Sequence, residues 1–374
     1  MDRRTFLKVG IGVVVAAIGG SLGYYYLLQP FSVRRIKKHT ITVVDTLDRT
    51  VTVPYPVESC IVTDDSIGEI VQAIGAEDTI IGIESSMPRR GYFPKLADKP
   101  ITGNQWQGLN YELVAKLKPD VVIMYGHVAP AEQILKKLEE INIKAVCIDP
   151  AFVDGLRIKS IKLLGEIFGK EERAERFLSW REKLLSQLRE RLSDIGEKVS
   201  AYIAMGFGKP SYGKLPTRTW GRNFSHNVTV EEWAKIRNIA SDIIKTHGEV
   251  ELEWIVKQNP DMFIIGVWSS AKEWDLTGYY VTNPSTPAKY ISDLMANEDL
   301  KQTKAVKDRK IFLIDHLLTG TRAEVGALYL AKAAYPDRME DLDPEKAHKE
   351  YFEKWLGVKY QGIWFYPQPW KEAM

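Results

Sequence analysis

Apolar and polar positions follow two alternating rhythms along most of this chain. ITVVDTLDRTVTV switches between apolar and polar residues around Leu47-Asp48-Arg49, which predicts a β-hairpin. CIVTD, TIIGI, VVIMY and KAVCID then read as short strands. SIGEIVQAIGA (closing at Gly75), NYELVAKLK and AEQILKKLEEINI carry apolar residues at helical spacing between them. Strands alternating with helices predict a parallel sheet covered on both faces.

The middle differs. From Val153 to Ile195 the breakers are Gly155, Gly165 and Gly169, and EERAERFLSWREKLLSQLRERLSDIG sets Ala174, Phe177, Leu178, Leu184, Leu185, Leu188 and Leu192 at helical spacing. That predicts one amphipathic helix of about 25 residues, near 35 Å long. A coiled-coil arm is the alternative; the few heptads, and Trp180 off a strict seam, favour an intramolecular helix.

Beyond it, after the strand KVSAYIAMGF, VELEWIVKQNPDMFIIGVW repeats NYELVAKLKPDVVIMYG. Glu112 and Glu253 each stand seven positions before a proline, Pro119 and Pro260, and Asp120 and Asp261 follow. Later strands, KAVCID and KIFLID, both end in aspartate, at Asp149 and Asp315. The fold class expected is therefore α/β: two Rossmann-like lobes joined by one long α-helix, with a ligand cleft between them at the carboxyl ends of the strands. The boundaries expected are an N-terminal lobe at 39–168, an inter-lobe helix at 169–196 and a C-terminal lobe at 197–335. A charged, then aromatic tail follows at 336–374. DPEKAHKEYFEKWLG within it predicts a surface helix capped at Asp343 with Pro344 in its first turn.

Residues 1–38 stand apart. Arg3 and Arg4 precede Phe6, Leu7 and Lys8, then an uncharged stretch runs from Val9 to Leu28. This resembles a twin-arginine export signal and is long enough to span a bilayer as an uncleaved anchor. Arg34, Arg35, Lys37 and Lys38 after the stretch favour the opposite orientation by charge counting, which leaves an ordinary anchor with a cytoplasmic domain as the alternative. The net charge of +2 comes from scattered cations, so a nucleic-acid partner is not expected. Cys60 and Cys147 lie in strand-like runs, either as two buried apolar residues or, if exported, as a disulfide.

The six histidines are scattered, with no zinc or iron–sulfur pattern and no nucleophile elbow or phosphate loop; neither a cofactor nor a catalytic residue is expected. What remains is recognition chemistry. Arg89, Tyr92, Trp106 and Tyr125 in the first half, and Trp220, Arg222, Trp268, Trp274 and Arg322 in the second, lie in or near loops at predicted strand ends. Rings that cover flat apolar faces, with guanidinium forks for carboxylates, suit a large acid-bearing ligand. Glu112 and Glu253 fall in helix first turns, where the dipole alone stabilises a carboxylate, and as an exposed pair they would also suit a two-fold partner.

Together DTLDRTVTVPYPVESCIV, EIVQAIGAEDTIIGI, GLNYELVAKLKPDVVI, LLGEIFGKEERAERF, VELEWIVKQNPDMFIIG and IFLID with GALYLAKAAYP resemble, over roughly residues 40–335, the substrate-binding proteins of ABC importers for ferric siderophores, haem and vitamin B12. The resemblance implies a binding protein, not an enzyme, with limited lobe motion. Its ligand would be a metal chelate (ferric siderophore, haem or corrinoid), and Glu112 and Glu253 would dock on an ABC permease dimer with its ATPase. WQG at Trp106 is similar to the corrin-facing stretch of vitamin B12 binders. The lipid-anchor cysteine of many such proteins is absent and the tail is long. A two-lobed enzyme or a surface sensor are the competing classes.

Overall fold

Each half of the chain is built on parallel strands buried on both faces. The structure, a computed structural model, describes residues 39–152, 154–269 and 272–372. The twin-arginine segment and anchor therefore lie outside the described residues. Among the described residues no helix is long and apolar enough to cross a membrane.

A hairpin of β1 (Thr40–Val44) and β2 (Thr50–Pro54) turns at Asp48, as its alternation predicts. In the first lobe β3 (Cys60–Val62), β4 (Ile80–Gly82), β7 (Val121–Tyr125) and β8 (Ala145–Ile148) form a parallel sheet in the order β4-β3-β7-β8. A small ribbon of β5 (Gly103–Asn104) and β6 (Gly108–Leu109) carries Trp106 at its turn. Helices α1 (Asp65–Ala73), α2 (Tyr111–Leu117) and α3 (Ala131–Glu140) connect the strands.

Two helices in succession lead to the second lobe, and the second of them is the expected inter-lobe helix. Helix α4 (Asp154–Phe168) ends at Gly169 (φ 62°), and α5 (Glu171–Arg191) follows. The predicted 25-residue helix is thus 21 residues, about 30 Å long. Its buried face includes Phe177, Trp180, Leu184 and Leu188.

The second sheet repeats the first. β9 (Ser200–Gly206), β13 (Met262–Val267) and β14 (Ile311–Asp315) run parallel, and β11 (Arg237–Asn238) lies parallel to β9 as β4 does to β3. Antiparallel β10 (Arg218–Trp220) and β12 (His247–Glu249) extend one edge. The shared Pro-Asp device has one geometry in both lobes. The Ser59 amide donates to the Asp120 carboxylate (3.1 Å), and the Asp120 amide donates to the Ser59 hydroxyl (2.9 Å). Ser200 and Asp261 make the same reciprocal pair at 2.8 and 3.1 Å. In front of each aspartate stands a seven-residue helix, α2 or α6 (Leu252–Gln258), that ends in a left-handed residue, Lys118 or Asn259, before the proline.

Helix α7 (Ser285–Met295) flanks the second sheet, and α8 (Ala323–Ala334) is buried throughout. α8 sits so close to the preceding turn that a Cβ on Gly326 would lie 1.5 Å from the Leu318 carbonyl oxygen, so only glycine fits. At its start two buried charges reach back to earlier elements. Arg322 forms a bidentate pair with Glu69 of α1 (2.7 and 2.8 Å), and Glu324 pairs with Arg181 of α5 (3.2 Å) and Arg157 of α4 (3.5 Å).

The tail corrects one expectation. Asp343 does cap α9 (Pro344–Glu350), its carboxylate accepting from the Glu345 and Lys346 amides, but this is no surface helix. His348 and the next turn, with Tyr351, Phe352, Trp355 and Leu356, are buried. Tyr351 donates its hydroxyl to Glu69 (2.7 Å), the Gln72 amide donates to the Leu356 carbonyl (2.8 Å), and β15 (Phe365–Tyr366) adds an antiparallel strand beside β14. The tail therefore packs on both lobes.

Cys60 and Cys147 are free and buried, in strands separated by β7, which settles the sequence alternatives for buried apolar residues over a disulfide. Burial pushes both thiols up to about 12. We expect no reaction with a thiol reagent in the native protein at neutral pH and two thiols per chain in denaturant. Arg322→Ala, which leaves Glu69 buried and unpaired, should cost about 3–5 kcal/mol in urea unfolding, while Glu69→Met with Arg322→Met should recover much of it.

Candidate functional site

The loops that leave the carboxyl ends of both sheets face one another across a cleft of about 700 Å³. On the first lobe, Asp64 and Asp65 follow β3, Tyr125 ends β7, and Glu84 lies just beyond β4. On the second, Phe207 follows β9, Trp268 follows β13 and His316 follows β14. This is the crevice position at which open α/β sheets bind ligands.

The first-lobe wall is acidic and hydrogen-bonded. Asp64 caps α1, accepting from the Ser66 amide (2.9 Å) and from the indole N–H of Trp106 (3.1 Å). Burial, then the neighbouring Asp65, raises the Asp64 carboxyl to about 7. Burial and Asp65 raise Glu84 as well. Burial would also raise Asp65, but the Arg90 guanidinium, 2.5 Å away, outweighs it and holds Asp65 below its usual range.

The second-lobe wall is aromatic and largely neutral. Trp268 lies between two near-parallel imidazoles, His226 at 6.4 Å and His316 at 5.0 Å between ring centroids. Burial drives both histidines down to about 3, so they are uncharged at neutral pH. His226 Nδ1 is 2.9 Å from the Thr319 hydroxyl. Phe207, half exposed, leans over Trp268 at 4.2 Å, and the guanidinium of Arg218 lies 5.7 Å from the Phe207 ring.

Of the sequence candidates, the cleft gathers Arg89, Trp106, Tyr125 and Trp268. Trp106 is 57% exposed, an unusual state for a tryptophan and one that leaves a ring face open to a ligand. The five others lie elsewhere. Arg322 is fully buried against Glu69, with Tyr92, Tyr351, Phe352 and Trp364 around its guanidinium, so it cannot meet a ligand acid. Tyr92 is buried in that aromatic box, and Trp220 is buried in the core, stacked on Phe224. Trp274 lines a neighbouring groove with Lys209 over its ring. Arg222 is exposed and is not among the residues lining the cleft. Glu112 and Glu253 are exposed on the first turns of α2 and α6.

Sequence reasoning missed Asp64, Glu84, Phe207, Arg218, His226 and His316 as cleft residues. One signal could have found several of them: Asp64 and Phe207 close the predicted strands CIVTD and KVSAYIAMGF, and His316 directly follows KIFLID. Among the described residues no group of three or more His, Cys, Asp or Glu side chains is placed to hold a metal ion.

Two α/β lobes with a cleft at their strand ends define the class of two-lobed periplasmic binding folds. The chain belongs to the periplasmic binding protein family, whose profile matches residues 61–317, and it is a substrate-binding protein of an ABC transporter. It is 25% identical over 369 residues to the molybdate-binding protein MolA of Haemophilus influenzae, covering 90% of this chain and 95% of that protein. Among solved structures it is similar to the TroA-like periplasmic binding protein FepB from Veillonella parvula. That match has a TM-score of 0.75 and 25% identity, covering 87% of this chain and 99% of that one. MolA bound to molybdate superposes with a TM-score of 0.68 at 23% identity, over 86% and 99% of the two chains, a likeness of fold.

The ionisable groups give the cleft opposing pH dependences. Asp64 binds its proton more tightly when folded, so its favourable contribution is complete in acid and is lost as pH rises from about 4 through 7. His226 and His316 contribute fully above about 6.5 and lose that contribution as pH falls toward 3. The part of the intrinsic fluorescence that Trp106→Phe removes should titrate with a midpoint near 7, and Asp64→Asn should abolish that midpoint.

Proposed function

We propose that this protein captures an anionic iron chelate of siderophore or haem type outside the cytoplasm and presents it to an ABC permease dimer with its ATPase. The observation that carries the reading is the cleft itself. It is sized for an organic ligand, and pockets of roughly 300–1,000 Å³ enclose ligands of drug size. Its exposed cations, Arg89 and Arg218, stand on opposite walls with no carboxylate partner among the described residues. Trp106, Phe207 and Trp268 offer ring faces to flat ligand groups, and the guanidinium forks suit its acids. The neutral His226 and His316 add donors and acceptors without adding charge. No bond is made or broken; transfer follows from different affinities in the free and permease-docked states.

Two observations favour other ligands. The exposed Trp106 within WQG supports a corrinoid, and the likeness to MolA supports a molybdate-type oxyanion. Thermal-shift measurements with a ferric siderophore, haemin, cyanocobalamin and molybdate separate them. An iron chelate at 100 times its Kd should stabilise the protein by about 2.7 kcal/mol, and stabilisation by molybdate alone would overturn the iron reading. Export by the twin-arginine segment and tethering to the membrane complete the proposal. An enzyme or sensor would have no need of the docking carboxylates.

Glu112 and Glu253 carry the docking half of the reading, as equivalent exposed carboxylates held by the same Pro-Asp device in each lobe. Glu112→Lys with Glu253→Lys should abolish uptake while ligand affinity stays within twofold of the parent. Unchanged uptake would sink the docking role.

A further inference from the structure

Arg90 makes the polar bridge across the floor of the cleft. From the first lobe, its Nη2 pairs with Asp65 (2.5 Å) while its Nη1 donates to the Ser269 carbonyl (2.5 Å) and lies 3.3 Å from the Ser269 hydroxyl. Ser269 in turn donates its hydroxyl to Asp315 (2.9 Å), the buried aspartate at the end of β14, which also accepts from Thr277 (3.1 Å). One guanidinium thus joins a carboxylate anchored in one lobe to a loop anchored in the other. The next residue shows how tightly the lobes meet. Gly91 has φ 80°, and a Cβ there would lie 2.5 Å from the Tyr279 ring and 2.8 Å from that of Tyr280.

Arg90 also separates two spaces. On one side is the ligand cleft; on the other is a second cavity of about 540 Å³, bounded by Tyr92, Tyr279, Tyr280 and Trp364. We propose that Arg90 is an inter-lobe clasp that holds the cleft closed before a ligand arrives and walls it off from the cavity behind, so that this side chain limits the size of chelate admitted. The proposal rests on the cleft being the ligand site, but the clasp is measurable without any ligand. Lysine cannot replace it, because a single ammonium lacks the planar fork that reaches both lobes at once.

The test uses spin labels at Lys136→Cys on α3 and Lys257→Cys on α6, both exposed, with the native thiols buried. In the ligand-free protein, Arg90→Ala and Arg90→Lys should each lengthen the inter-lobe distance by more than about 2 Å, a domain-scale displacement. Circular dichroism reports whether each variant folds, and the lysine variant, which keeps the charge beside Asp65, guards against a misfolded alanine variant. Titration with haemin and with molybdate gives the second readout: Arg90→Ala should shift the ratio of their affinities at least tenfold toward haemin. An unchanged distance in a folded variant overturns the clasp. A lengthened distance with an unchanged affinity ratio overturns the size limit. A wild-type protein that binds neither probe, with the distance still lengthened, supports the clasp and counts against the ligand reading instead.

Discussion

Removing one guanidinium and one carboxylate from water is the constraint around which this molecule is organised. Such a pair is costly unless its geometry is good and further hydrogen bonds satisfy most of the remaining donors and acceptors. Arg322 Nη1 has no hydrogen-bond partner among the described residues, and the guanidinium lies over the surrounding rings instead. Here Glu69 comes from the first lobe, Arg322 from the second, and the enclosing rings of Tyr351, Phe352 and Trp364 from the tail. Tyr351 adds a hydrogen bond to the carboxylate, and Arg322 also lies over the ring of Tyr92. Two residues on, Glu324 repeats the arrangement with Arg157 and Arg181 of the connecting helices. The lobes are therefore joined at the back by buried charge as well as by chain, a geometry suited to rocking through small angles.

The cleft in front inherits its character from that rigidity. Strand ends deliver acids on one side and rings with neutral imidazoles on the other, and most of the acids are restrained by burial or by Arg90. The exposed guanidinium groups of Arg89 and Arg218 are the cations that, in the proposed function, meet the ligand's acids. Charge inside the cleft is used for architecture, and the proposed function assigns the charge at its rim to recognition.

Much of this plan was readable from residue order. The hairpin, the strand and helix alternation and the repeat around Pro119 and Pro260 depend on local spacing, and Ser59–Asp120 and Ser200–Asp261 show that the repeat is literal in three dimensions. The side-chain roles of Tyr92, Trp220 and Arg322 were not readable. Each sits near a strand or helix end, as a ligand contact would, yet its surroundings are completed by residues far along the chain. His226 and His316 were unreadable for the converse reason. They are 90 positions apart and come together only in the fold, on either side of Trp268. The break at Gly169 was legible as the start of the inter-lobe helix but not as the end of an earlier one, because apolar spacing continues through it.

The seam between the lobes bears on how the chain folds. Glu69 is 253 residues from Arg322 and 282 from Tyr351, and the second sheet gains its β15 edge only from Phe365 and Tyr366. Contacts of such sequence separation form late, because their loop-closure entropy must be met before they return any stability. The four strands of the first sheet all precede residue 149, but the acid on α1 stays unmatched until Arg322 and Tyr351 have joined. Completion of the fold is thus reported at its carboxyl end.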